Sequence, residues 1–228
     1  MNEWVTGSLC RKQAVFLVGI VLFALGAQAS AGDSFDTQLN RIQQRWAEVN
    51  YNESGKAQKA AFEALLEDVR ALESGNPDRA EAKVWHGIVA STYAGVKGPF
   101  GAMSLANEAK AALEAAEALD PSVLDGSVYS SLGALYYKVP GGLIGFGDVD
   151  KARAYLEKAL QASPEGIDSN YFYGEFLFEQ DEFEAARQAL TRAIQAPPRP
   201  ERALADQGRH KEINDLLERV NAKLERRS

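Results

Sequence analysis

Apolar residues recur at three- and four-residue intervals through most of this chain, the spacing of one face of an α-helix. Phe35, Leu39, Ile42, Trp46 and Val49 form a first stripe, and Asn50–Gly55 is a polar turn. Ala61, Leu65, Leu66, Val69 and Leu72 predict a second helix over about Lys56–Ser74. Gly75-Asn76-Pro77 closes it, Gly just after the helix and Pro beyond. Three helix pairs follow: Arg79–Tyr93 with Ser104–Leu119, Ser122–Lys138 with Val149–Ala162, and Asp168–Phe178 with Phe183–Ala196. Asp148 and Asp168 fit N-caps, because a short side-chain oxygen there accepts an orphan amide. Pro197, Pro198 and Pro200 stop the array, and a last helix spans about Gln207–Glu225. It sets Ile213, Leu216, Leu217, Val220 and Leu224 on one face and Lys211, Glu212, Asp215, Glu218 and Arg219 on the other, which suits a terminal cap. Val, Ile and Thr are sparse and strict alternation never persists, so no strand is expected.

The helix pairs share a spacing. Ala109-Leu113-Ala116-Pro121, Ala152-Leu156-Ala159-Pro164 and Ala186-Leu190-Ala193-Pro198 superimpose residue for residue, each preceded by a Gly: Gly87, Gly133 and Gly174. Two Ala seven apart lie on one helix stripe and admit a close neighbour, and Leu fills the groove beside them. Gly inside a helix costs about 1 kcal/mol against Ala, so three at equivalent places imply close packing that compensates. Stacked helix pairs make a solenoid, an architecture built for binding.

Tyr129-x2-Leu132-Gly133-x2-Tyr136 followed by Ala152, Ala159 and Pro164 resembles a tetratricopeptide repeat. Gly174, Leu177, Ala186, Ala193 and Pro198 make the next unit, and Ala152 to Ala186 is the 34-residue period. The next unit departs from the pattern in carrying Asn170 where Tyr129 stands. The resemblance implies an all-α solenoid of three to four hairpins: a helix pair over 33–78, repeats over 79–121, 126–166 and 167–200, and a C-terminal capping helix within 201–228. It also implies a concave groove lined by the first helix of each repeat. Tyr137, Lys138, Tyr171, Glu175, Phe178 and Glu179 would face that groove and meet a peptide or helix there. Tyr171 and Phe178, seven apart on an apolar helix, equally fit the core.

Two units break the repeat rule. Gly174 to Ala186 is twelve residues, Gly133 to Ala152 nineteen, and Gly87 to Ala109 twenty-two. The insertions, at 96–103 and 139–147, are both rich in Gly, Pro and Phe, and parallel stacking would bring them out on one edge. Pro99, Phe100, Leu143, Ile144 and Phe146 are there either core plugs or a binding edge. Gly141 to Gly147 lacks the Lys-Ser or Lys-Thr of a phosphate loop and follows a helix, not a strand. The segments VPGGLIGFGDVDKARAYLEKAL and SNYFYGEFL are similar to the T-component of TRAP transporters associated with tetratricopeptide proteins. That resemblance implies a small apolar ligand handled together with a solute-binding protein.

Composition changes this picture at one end. Arg11 and Lys12 precede an apolar run, Ala14–Gly26, followed by small-x-small sites at Ala27-Gln28-Ala29 and Ala29-Ser30-Ala31. Residues 1–29 therefore read as a secretory signal, with cleavage after Ala29 or Ala31 and a periplasmic product. The run is short for a bilayer span. Cleavage removes two bases and one acid, leaving the remainder one unit more negative than the −7 of the whole chain. An acidic balance argues against nucleic acid and anionic membranes as partners. The single cysteine, Cys10, precedes the apolar run, so neither a lipid anchor, a disulfide nor a thiolate is expected in the mature chain.

Candidate chemistry is thin. His86 and His210 lie on separate helices without ligand-spaced partners, and His86 beside Trp85 and Gly87 reads as a packed side chain. Glu179, Asp181 and Glu182 cluster at a polar helix end. No nucleophile elbow or metal motif occurs. The expectation is a non-enzymatic scaffold without metal or cofactor, whose partner is an envelope protein or peptide.

Overall fold

The computed structural model describes residues 33–227; the expected signal segment and Cys10 lie outside them. Nine α-helices occur among the described residues, with no β-strand. They are α1 (Phe35–Asn52), α2 (Gly55–Gly75), α3 (Ala80–Lys97), α4 (Pro99–Leu119), α5 (Val123–Lys138), α6 (Val149–Ala162), α7 (Ile167–Glu179), α8 (Phe183–Ile194) and α9 (Ala203–Glu225). Each odd-numbered helix up to α7 pairs with its successor as a hairpin, and hairpins stack in order.

The repeated spacing is the contact that closes each hairpin. Leu113, Leu156 and Leu190 are fully buried, each directly over the Gly of its partner helix. A Cβ added at Gly87, Gly133 or Gly174 would stand 2.8, 2.8 and 2.9 Å from the Cδ2 of Leu113, Leu156 and Leu190 respectively. The flanking Ala109, Ala116, Ala152, Ala159, Ala186 and Ala193 are also fully buried. Each buried Leu contributes roughly 2 kcal/mol by removal from water, which more than offsets the helix cost of its Gly. Asn170 is fully buried in place of the aromatic: it donates to the carbonyls of Pro164 (2.8 Å) and Gly166 (2.9 Å) and accepts from Arg192 (3.0 Å).

Three local expectations change. The stretch 96–103 is mostly helix: α3 runs to Lys97 and α4 begins at Pro99, because Gly98 (φ +92°) and Gly101 (φ +96°) turn the chain within four residues. The segment after Lys138 is a true loop. Helix α1 continues through Tyr51, whose ring meets Trp46 edge-on at 5.8 Å. Asp148 caps α6, accepting from the Lys151 amide, but Asp168 is not a cap. It sits in the first turn of α7, behind Gly166, and its carboxylate takes guanidinium partners instead of amides.

The largest departure from a simple stack is on the inner side. The first helices touch in a row: α1 on α3, α3 on α5, α5 on α7, α7 on α9. Helix α9 then returns to touch α1, so five helices close a ring. Gly208 makes that last joint possible, since a Cβ there would run into the Tyr51 ring.

Candidate functional site

The ring lines a partly open cavity of about 630 Å³, in the range of small-molecule sites. Its apolar wall comes from Trp46 (α1), Trp85 and Ile88 (α3), Met103 (α4), and Tyr171 and Phe172 (α7). Its polar wall is Arg199, Arg202, Arg209, Asp168 and Glu212. Leu124 and Asp125, at the start of α5, also line it, both with left-handed backbone (φ 51° and 53°). That conformation is unfavourable for side chains with a Cβ.

A network of ion pairs fixes the polar wall. Asp168 accepts from Arg199 (2.8 Å) and Arg209 (2.9 Å). Arg199 also grips Asp206 through its backbone amide (2.8 Å), Nε (2.9 Å) and Nη2 (2.6 Å). Arg209 reaches Glu212 (2.5 Å) and stacks on Tyr171 and Phe172, 4.2 and 4.8 Å from the ring centres. Tyr51 donates to Glu212 at 3.4 Å, which links α1 to the same network. Burial would raise the Asp168 carboxyl, but Arg209, Arg199 and Arg202 outweigh it and hold the group well below the usual carboxylate range. Glu212 moves the other way, up, because burial dominates and Arg209 is shared. Burial pushes the Tyr51 hydroxyl up to about 12.

Arg202 stands apart. It sits above Trp85, its guanidinium 5.1 Å from the ring centre. Burial lowers its pKa, with Asp168 and Asp206 only partly compensating from a distance. Its Nε is closed off from water with no hydrogen-bond partner, and so is Nε1 of the buried Trp85 beside it. Trp46 differs: its Nε1 donates to Thr92 Oγ1 at 3.1 Å.

Two of the residues expected to line an open groove, Tyr171 and Phe178, are found beneath α9. Tyr171 is buried under Arg209, and Phe178 is buried under Arg219, whose guanidinium lies 4.5 Å from its ring. Phe178 is therefore unavailable to a partner, because α9 fills the place a ligand helix would take. Tyr137 donates to Glu175, and Lys138 pairs with the same carboxylate at 2.8 Å. Lys138 stays half exposed and lines the cavity; Glu179 is exposed. Burial opposes ionisation of Glu175, yet Lys138 and Tyr137 hold its pKa down.

The two insertions lie against each other, with the Met103 methyl 2.9 Å from where a Gly145 Cβ would be. Their apolar residues divide. Phe100, Leu143 and Ile144 are 93%, 107% and 72% exposed, and Pro99 is exposed too. Phe146 turns inward, edge-on to Tyr136 at 5.7 Å and under Lys110. The glycines pinch the loop shut: Gly147 donates to Pro140 (3.0 Å) and leaves no room for a Cβ against Val139. His86 is structural, bridging Glu73 (2.5 Å) and Glu108 (2.7 Å) and so tying α3 to α2 and α4. No group of His, Cys, Asp and Glu suited to a metal occurs among the described residues, and no described helix is long and apolar enough to cross a membrane.

Sequence reasoning missed Asp206, Arg209, Arg199 and Arg202. The signal for two of them is in the last helix. Its buried stripe, Ile213, Leu216 and Val220, projects back by four and three residues onto Arg209 and Asp206. Charges on an apolar stripe mark a buried polar cluster.

Residues 143–205 match the model of the tetratricopeptide repeat family. No curated protein matches the chain. Among solved structures, a thermophilic tetratricopeptide protein of Thermus thermophilus is similar at 15% identity, covering 79% of this chain and 98% of its own, with a TM-score of 0.52. MamA (17% identity, 75% of this chain and 94% of its own, TM-score 0.43) and pilF of Pseudomonas aeruginosa (16%, 82% and 94%, 0.34) are more distant in shape. The chain carries a tetratricopeptide repeat and folds as an all-α solenoid of that type. Solenoids of this kind present extended surfaces of the sort that protein partners use.

Proposed function

We propose that this chain is an exported, non-catalytic scaffold that binds a protein of the cell envelope through the edge made by the 139–148 loop and the start of α4. The observation that carries this reading is the exposure of Phe100, Leu143 and Ile144 on two segments in contact. Large apolar side chains fully in water stabilise nothing in the fold, and clustered ones mark interaction surfaces. The inner ring supports the same choice, since α9 leaves no open groove for an extended peptide. The test is crosslinking and pull-down from intact periplasm, with the triple variant Phe100→Ser, Leu143→Ser, Ile144→Ser beside the unaltered chain. The variant should lose the captured protein while unfolding at the same temperature. Capture of the same protein by both would refute the edge.

A second reading follows from the T-component resemblance: an accessory of a TRAP-type transport system that handles a small ligand with a solute-binding protein. The cavity favours it, although three arginines in the wall do not suit a wholly apolar ligand. Native mass spectrometry of protein taken from its own periplasm tests this through a retained small molecule.

A further inference from the structure

The structure assigns the ring cavity to a small organic carboxylate, its carboxylate on Arg202 and its apolar body against Trp46, Ile88, Tyr171 and Phe172. This rests on the second reading only in taking the cavity as a ligand site, and it replaces the apolar ligand with an anion.

The cations of the wall are not equivalent. Lys138 is paired with Glu175, Arg199 with Asp168 and Asp206, and Arg209 with Asp168 and Glu212. Arg202 is the cation in the described lining that makes neither an ion pair nor a side-chain hydrogen bond. A half-buried guanidinium left this way is costly, because Asp168 and Asp206 offset its desolvation only in part. The guanidinium is a donor only, so its natural partner in the cavity is an acceptor, and a negative one answers its charge. The remaining carboxylates of the lining, Asp125 and Glu201, are exposed, while Asp168 and Glu212 are held by Arg199 and Arg209. Inorganic phosphate would satisfy the donors but leave most of 630 Å³ and its aromatic wall unfilled. A carboxylate with an aromatic or branched body uses both walls.

The experiment is isothermal titration of the purified protein with 4-phenylbutyrate, its neutral amide 4-phenylbutyramide, and inorganic phosphate. Phenylbutyrate should bind at least ten-fold more tightly than either. Arg202→Met should abolish that preference, and Arg202→Lys should retain part of it. Thermal unfolding of each variant, measured in parallel, should not fall, since Met removes an unpaired charge and keeps the contact with Trp85. Equal binding of acid and amide, phosphate binding as tight as phenylbutyrate, unchanged binding by Arg202→Met, or no binding at millimolar concentration would each overturn the assignment. Failure of the edge variants to lose their protein leaves this titration untouched, so the two ideas fall separately.

Discussion

The interiors of the hairpins and the inside of the ring are built from opposite materials. Between α3 and α4, α5 and α6, and α7 and α8 the same Gly-Leu-Ala contact occurs three times, dry and fully buried. Inside the ring nothing repeats. Trp46, Trp85, Arg199, Arg202 and Arg209 come from three helices and a linker, and each occupies its place once. Repetition suits a contact whose only task is to stack. A cavity that distinguishes one ligand from another needs unequal walls.

The sharpest way to break the comparison is to overfill a hairpin. Gly133→Val drives a branched side chain into Leu156 and should cost about 3 kcal/mol. For a chain of this size that is a fall of roughly 6–12 °C in unfolding temperature, readable by circular dichroism. Adding Leu156→Ala should recover part of the loss; strict additivity would mean the two residues do not touch.

The ring should lose less for its key charge. Asp168→Asn leaves Arg199 and Arg209 short of a partner and should cost about 2 kcal/mol, discounted because the carboxylate is 28% accessible. The sign of the pH effect follows. The pKa of Asp168 is depressed in the folded state, so its stabilisation is complete above the unfolded value of 3.8 and is lost as pH falls below it. Denaturant melts from pH 6 down to pH 2 should show a steeper acid loss in the unaltered chain than in Asp168→Asn. Parallel curves would remove the network from the account.

Gly208→Ala tests the joint that closes the ring. Displacing Tyr51 should cost about 1 kcal/mol, yet leave the hairpin contacts intact. Hydrogen exchange should quicken in α1 and α9 alone; uniform quickening would show that the ring and the stack are one unit.

The smallest effect is alkaline. Burial raises Tyr51 to about 12, so the native state keeps a proton that the unfolded chain gives up near 10. Stability should therefore fall as pH rises from 10 toward 12, and Tyr51→Phe should flatten that limb. An unchanged slope would transfer the effect to Tyr137 or Tyr171, which burial also raises.

The sequence by itself determined the helices and how they pair. Gly87, Gly133 and Gly174 stand at fixed distances from Leu113, Leu156 and Leu190, and helical period turns such distances into a face. It also exposed the two rule-breaking insertions, because an insertion is visible as a changed count. Tertiary structure alone decided what those parts meet. No local spacing says that Phe146 turns inward while Leu143 and Ile144 stay in water. Nor does it say that α9 reaches back to Tyr51, or that Arg202 ends above Trp85 without a carboxylate. Those outcomes depend on a curvature accumulated over successive hairpins, and small rotations at each stacking contact add up to close the ring or leave it open.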